Sequence, residues 1–207
     1  MSNVFLLIPL STLLSFMAAG ILLNLTPGAD VMFATACGLK GGAKSGIAAA
    51  FGIALGSAFH ISLTAMGLAA VLATLPWAFT MIKWAGIAYL VYLAFKSWTA
   101  DTAQVDRAAG RTYGAAIKQG LITNIMNPKV ALFILAFLPQ FTDPTRGTVW
   151  IQILVLGGLF CVTGFVITAT YGALAGLLGT KLSAKMALMN KLSALLLGAL
   201  AVRLAWN

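Results

Sequence analysis

The feature that most constrains this chain is a series of six long apolar stretches with almost no charge inside them. Crossing a bilayer core of about 30 Å takes about 20 apolar helical residues. Six runs reach that length: Val4 to Leu39, Ile47 to Leu75, Trp77 to Trp98, Ala115 to Phe141, Trp150 to Leu178 and Ala187 to Trp206. Only 8% of the 207 residues are charged and 61% are hydrophobic, whereas soluble domains carry roughly 25% charged residues. Too little polar surface is left to face water, so the expected fold is an all-α integral membrane protein with six transmembrane helices.

The polar residues that remain read as topology. Thirteen Lys and Arg stand against four Asp, with no Glu, for a net charge of +9. The basic residues lie between apolar runs and not along one helix face, so a nucleic-acid partner is not expected. Lys and Arg collect on the cytoplasmic side of membrane proteins. With the N-terminus outside, the inner loops hold Lys40 and Lys44, then Lys96, Arg107, Arg111 and Lys118, then Lys181, Lys185 and Lys191. The outer loops hold only Arg146 and Arg203. Both termini are therefore expected outside the cytoplasm. Trp77, Trp98, Trp150 and Trp206 stand near run ends, where interfacial anchors belong. The apolar N-terminus has no basic segment before Val4 and continues past Ala18-Ala19-Gly20, so it is read as mature protein and not as a cleaved signal.

Two runs are interrupted from within. Thr26-Pro27-Gly28-Ala29-Asp30 breaks the first, and Asn127-Pro128-Lys129 breaks the fourth. The first break carries a carboxylate and the second an ammonium. Each half of the chain thus has an interrupted helix, a glycine-rich helix and a third helix. Asn24 precedes Pro27 by three residues and Asn124 precedes Pro128 by four. Two copies of an odd number of spans must face opposite ways. The expected architecture is a single transmembrane domain over 1–207 built from two inverted three-helix repeats, an arrangement common among secondary transporters. Repeat one covers about 1–98, a polar linker about 99–113, and repeat two about 114–207. The segment Leu39 to Gly46, with Lys40, Gly41, Gly42 and Lys44, reads as a basic, glycine-rich turn. The steps Gly52-x-x-x-Gly56 and Gly172-x-x-x-Gly176 read as helix-packing faces, with substrate passage or contact with a second copy of the chain as the alternatives.

The breaks are where polar chemistry is expected. Proline removes an N–H and frees the carbonyl one turn earlier. Such groups, with the half-helix N-termini, can bind polar ligands at the membrane midplane. Asp30 is costly inside a membrane and should face a cavity or a partner; the plain alternative is a carboxylate favoured by the new helix N-terminus. Lys129 should meet a substrate carboxylate, pair with Asp30 when the site is empty, or snorkel to an interface. Asn24, Thr26, Asn124 and Asn127 supply neutral donors and acceptors. A zwitterion would be complementary to this set. His60, the lone histidine, lies on the face of Gly52 and Gly56 and either relays a proton or is satisfied by a neighbouring helix. Phe51 and Phe59 read as lipid or core contacts.

Other chemistries lack their residues. The chain has no phosphate-binding Gly-x-x-x-x-Gly-Lys-Ser/Thr loop and no His-Glu-x-x-His. Its two cysteines, Cys37 and Cys161, form no Cys-x-x-Cys or Cys/His cluster. No cofactor, metal or enzymatic activity is expected.

These motifs together resemble the LysE/RhtB family of bacterial amino-acid exporters. Thr26-Pro27-Gly28-Ala29-Asp30 is followed by Gly41-Gly42-x-x-x-Gly46 and Gly52-x-x-x-Gly56-x-x-x-His60. Next come Lys83-Trp84-x-Gly86-x-x-Tyr89-Leu90-x-Tyr92-Leu93 and Gly120-x-x-Thr123-Asn124-x-x-Asn127-Pro128-Lys129. Phe137-Leu138-Pro139-Gln140-Phe141 closes the set. The family's second proline is Ala29 here, while Pro27 and Gly28 remain. The resemblance implies an exporter of amino acids or related metabolites in the bacterial inner membrane, driven by the proton gradient. A lone carboxylate at the site favours neutral zwitterions over dibasic substrates. Expected partners are a small amino acid, protons and the lipid bilayer, with a homodimer as a further candidate. The alternatives are a passive facilitator or channel for small solutes, or a cation exporter of the same superfamily. A redox carrier would need paired cysteines at the breaks.

Overall fold

A computed structural model describes residues 7–74 and 112–179, with further helical positions between 81 and 98 and between 191 and 206. The expectations for the third and sixth runs and for the linker fall largely outside the described residues. Among the described residues there is no strand.

Helix α1 spans Leu10–Leu25 and stops at Thr26, whose backbone is extended (φ −66°, ψ 115°). The residue before a proline is driven out of the helical region by the pyrrolidine ring, so Pro27 ends α1. Helix α2 spans Ala29–Thr74 and is divided at Gly42 (φ 76°, ψ 174°). Gly38 and Gly46, four residues to either side, both lie against Gly172. The chain therefore folds back around Gly42, giving a first arm (29–41) and a second arm (43–74). The basic turn expected over Leu39 to Gly46 is contracted to one residue. Nothing stands where a Cβ on Gly42 would go, so the positive φ, not crowding, calls for glycine there.

Helix α3 spans Tyr113–Ile125, with the Thr112 hydroxyl accepting from the Ala115 N–H at its start. Helix α4 spans Pro128–Leu132 and continues through a π-helical turn, Phe133–Phe137, and a 3-10 turn, Leu138–Phe141. The axis bends by 53° between 113–125 and 128–141. Helix α5 spans Val149–Leu178 and ends at Gly179. Among the described residues two stretches, Ala29–Gly67 and Val149–Leu178, are long and apolar enough to cross a membrane, and the bent pair makes a third if counted as one span.

The second arm of α2 is patterned inside out. Phe51, Leu55, Phe59, Leu63 and Met66 are exposed, while Ser57, His60 and Thr64 are buried. In water this arrangement would be unfavourable; against hydrocarbon it is the favourable one. Phe51 and Phe59 thus sit on the outer face.

The glycine steps pack the chain against itself. A Cβ on Gly52 would overlap the backbone of Ile117 in α3, and one on Gly120 the backbone of Ala49. A Cβ on Gly172 would overlap Gly46, and one on Gly176 would overlap Gly42 and Ala43. Small residues let backbones approach where lipid supplies no hydrophobic drive. These faces are filled by the chain's own helices. At the opposite end of the packing, Phe16, Phe133, Phe137 and Phe160 form a buried aromatic core between α1, the π-helical turn and α5. Ring centroids are 4.9 Å apart for Phe133 and Phe160 and 6.2 Å for Phe16 and Phe133.

Candidate functional site

The two breaks meet. Asp30, the second residue of α2, accepts a 2.7 Å hydrogen bond at Oδ2 from the Nδ2 of Asn124, near the end of α3. Lys129, the second residue of α4, reaches the other way, and its Nζ donates at 2.6 Å to the carbonyl of Thr26 at the end of α1. Residues about a hundred positions apart therefore hold one another's helix ends.

Each partner has a local reason for its position. Once Pro27 stops α1, its last carbonyls have no helical partner. Leu22 O and Leu23 O accept from the Thr26 N–H, and Leu25 O accepts from the Tyr171 hydroxyl at 3.2 Å. Thr26 O is left for Lys129. The absent side chain of Gly28 makes room for this contact: a Cβ there would lie 3.3 Å from the Lys129 stem. On the other break, Asn127 caps α4, its Oδ1 accepting from the Lys129 N–H at 3.0 Å, and Pro128 takes the first helical position. Proline costs nothing there because that N–H would be unpaired anyway.

The expected Asp30–Lys129 pair does not form. Among the described residues the ion pair present is Arg146 Nε to Asp143 Oδ2, 3.3 Å, in a loop. An ammonium is well placed at the carbonyl end of a helix and poorly placed at an N-terminus. Lys129 sits at one and reaches the other.

Two buried polar atoms at the meeting point make no hydrogen bond of good geometry, Asp30 Oδ1 and Asn127 Nδ2, although the Asn127 side chain lies close enough to act on the Asp30 carboxylate. Capping α4 uses the Asn127 oxygen and leaves its amide nitrogen over. Asp30, Asn127 and Lys129 all line one small cavity of about 20 Å³. Its apolar wall includes Leu23, Ile53 and Phe165, with Ser57 and Thr168 as further polar lining. The Asn127 and Asn124 amides act on the Asp30 carboxylate at short range, and Lys129 and His60 are within electrostatic reach of it. His60 is buried, with Nε2 3.3 Å from the Asn124 carbonyl oxygen. Thr26 contributes its carbonyl, its own hydroxyl being spent on Leu22 O at 2.7 Å. Among the described residues no three His, Cys, Asp or Glu side chains come together as a metal site.

The structure thus brings together Thr26, Pro27, Gly28, Asp30, Asn124, Asn127, Pro128, Lys129 and His60, while Gly52, Gly56, Gly172 and Gly176 make the helix contacts around them. Sequence reasoning missed Ser57, whose hydroxyl donates to Asn124 Oδ1 at 3.4 Å, and Tyr171. Ser57 had a signal. With His60 and Thr64 it forms a polar stripe at helical spacing on an otherwise apolar helix. Tyr171 had none, because its role depends on where α5 lies.

The profile of the LysE type translocators matches residues 21–207. The chain belongs to that family. An "uncharacterized membrane protein" of Vibrio cholerae is 34% identical over 183 residues, covering 86% of this chain and 89% of its own. The homoserine/homoserine lactone efflux protein of Salmonella typhimurium is 30% identical, covering 78% and 79%. The leucine efflux protein of Salmonella choleraesuis is 32% identical, covering 74% and 76%. No solved structure matches the chain. Membership in the LysE family, together with the apolar helices, makes the protein a membrane transporter and not an enzyme.

Proposed function

We propose that this LysE-family protein exports small neutral amino acids, or related zwitterionic metabolites, through the cavity between the two helix breaks. One observation carries the reading: a buried carboxylate oxygen, Asp30 Oδ1, and a buried amide nitrogen, Asn127 Nδ2, lie close together at one small cavity beside Lys129, neither with a hydrogen bond of good geometry. Oδ1 is the acceptor a substrate ammonium needs. Asn127 Nδ2 and the Lys129 ammonium are the donors a carboxylate needs. Among the described lining residues Asp30 is the one acid and Lys129 the one base, so a substrate with a charged side chain would bury that charge unpaired. The homoserine and leucine efflux relatives carry substrates of the proposed class by name.

Transport is driven by the proton gradient as antiport across the bacterial inner membrane, with Asp30 exchanging a proton for the substrate ammonium. Two inverted three-helix halves alternate access around the breaks, with both termini outside the cytoplasm. The reciprocal contacts, Asn124 to Asp30 and Lys129 to Thr26, support such halves, since each break leans on the other.

The test is efflux of homoserine and leucine from loaded vesicles. Wild type should export against a gradient while a proton gradient is maintained, and both Asp30→Asn and Lys129→Ala should fail. Unchanged efflux in both variants refutes the site. Non-saturating flux that ignores a collapsed gradient makes the protein a facilitator.

A further inference from the structure

The single histidine and the second proline answer each other. In an α-helix the carbonyl of residue 124 accepts from the N–H of residue 128, and Pro128 has none. The Asn124 carbonyl is therefore released at a fully buried position, where an unpaired acceptor is costly. Two donors take it: the Asn127 N–H at 2.9 Å and His60 Nε2 at 3.3 Å. A carbonyl can only accept, so the imidazole must carry its proton on Nε2.

Ser57 stands three residues before His60 on the same arm of α2, a spacing that puts both on one face. It donates to the side-chain oxygen of the same residue, Asn124 Oδ1. That contact orients the amide and sends Nδ2 to Asp30 Oδ2. Gly56, immediately before Ser57, admits Asn124: a Cβ there would lie 2.7 Å from its Oδ1. One residue of α3 is thus gripped at two oxygens by one face of α2. The His60 side chain makes no hydrogen bond to Asp30. The ring also lies beside that of Phe59, with centroids 5.9 Å apart.

We infer that His60 is a positioning residue: with Ser57 it clamps Asn124 at the carbonyl Pro128 releases, and Asn124 in turn holds Asp30 with Oδ1 toward the cavity. His60 does not carry the transported proton. Its Nε2–H is committed to an amide carbonyl, and the described contacts link the ring to the carboxylate only through the amide groups of Asn124. The effect on transport rests on Asp30 being the working carboxylate; the position of the ring proton does not.

The experiment has two arms. His60 is the only histidine in the chain, so ¹⁵N-histidine labelling of the full-length protein in lipid nanodiscs reads one imidazole. The expected spectrum has the proton on a hydrogen-bonded Nε2; a ring protonated only at Nδ1 overturns the clamp. In the second arm, neutral amino-acid efflux is compared at equal membrane abundance. His60→Gln carries an amide donor near the Nε2 position and should export within about twofold of wild type, with an unchanged pH profile. His60→Asn is too short and His60→Leu has no donor, so each should lose about tenfold. A Gln variant as impaired as the Leu variant, or one with a flattened pH profile, makes His60 the proton carrier and defeats the proposal. If wild type exports no amino acid, the substrate reading fails and the imidazole spectrum alone decides the clamp.

Discussion

The two helix breaks look alike in sequence and are built differently. The second is made at home: Asn127 caps α4 with its own oxygen and Pro128 takes the first helical position. The first is made with imported parts. The carbonyls that Pro27 and Gly28 leave open are met by Tyr171 from α5 and Lys129 from α4. Their charges follow the same division. Asp30 lies in the first turn of its own helix, where an acid is favoured. Lys129 lies in the first turn of its helix, where a base is not, and finds its partner at the carbonyl end of α1. A locally satisfied break is stiff, whereas a break held by distant side chains can be released when those side chains find something better. A substrate carboxylate drawing Lys129 off Thr26 would be such a release.

The comparison can be broken at its charges first. Asp30→Asn removes the acceptor of the proposed ammonium site, and efflux should fall about thirtyfold or more, as for a buried charged contact worth 2–5 kcal/mol. Lys129→Met keeps the stem but leaves the Thr26 carbonyl open. Beyond lost efflux, it should lower unfolding stability in detergent by about 1–3 kcal/mol; an unaltered melting curve would mean that Lys129 is not what holds the first break.

Glycines sharpen the contrast. Gly56→Ala presses a methyl onto Asn124, which is fixed on both sides, and should cost about 1–3 kcal/mol in thermal unfolding. Gly28→Ala presses only on the flexible Lys129 stem at 3.3 Å and should cost less than about 1 kcal/mol. Equal costs would erase the difference between a rigid and a yielding break. Asn127→Ala, which removes a local cap, should cost about 1 kcal/mol and also weaken substrate affinity through loss of Nδ2.

The smallest effect lies outside both breaks. Asp143, in the exposed loop before α5, is held below the usual carboxylate range by hydrogen bonds from Thr145 and by Arg146. A depressed folded value means its contribution is present above the unfolded carboxylate value and lost as pH falls through the folded one. Asp143→Asn should leave efflux unchanged at neutral pH and alter stability only marginally; a large efflux defect would put a functional group where none is proposed.

Local physics made much of this protein legible beforehand. Apolar run lengths, the scarcity of charge and the two prolines each act within a few residues of themselves, so the membrane class, the helix ends at Leu25 and Ile125, and the places of Asp30 and Lys129 could be read directly. Even the Asn127 cap could be inferred, because its partner is two residues away. The reach of Lys129 could not. Its expected pairing with Asp30 followed from charge alone, and Coulomb attraction says nothing about which carbonyls a distant proline has left open. Ser57 was half legible, as one member of a polar stripe whose target was unknown.

By itself, then, the sequence determined where the helices must stop and which residues would be too polar to face lipid, because proline sterics and transfer energies are properties of the chain. Tertiary structure alone decided who satisfies whom: Asn124 with Asp30, Lys129 with Thr26, His60 with the carbonyl Pro128 releases. Those pairings depend on how closely the glycine faces let α2, α3 and α5 approach, and contacts across a hundred residues leave no periodic trace in the order of the amino acids.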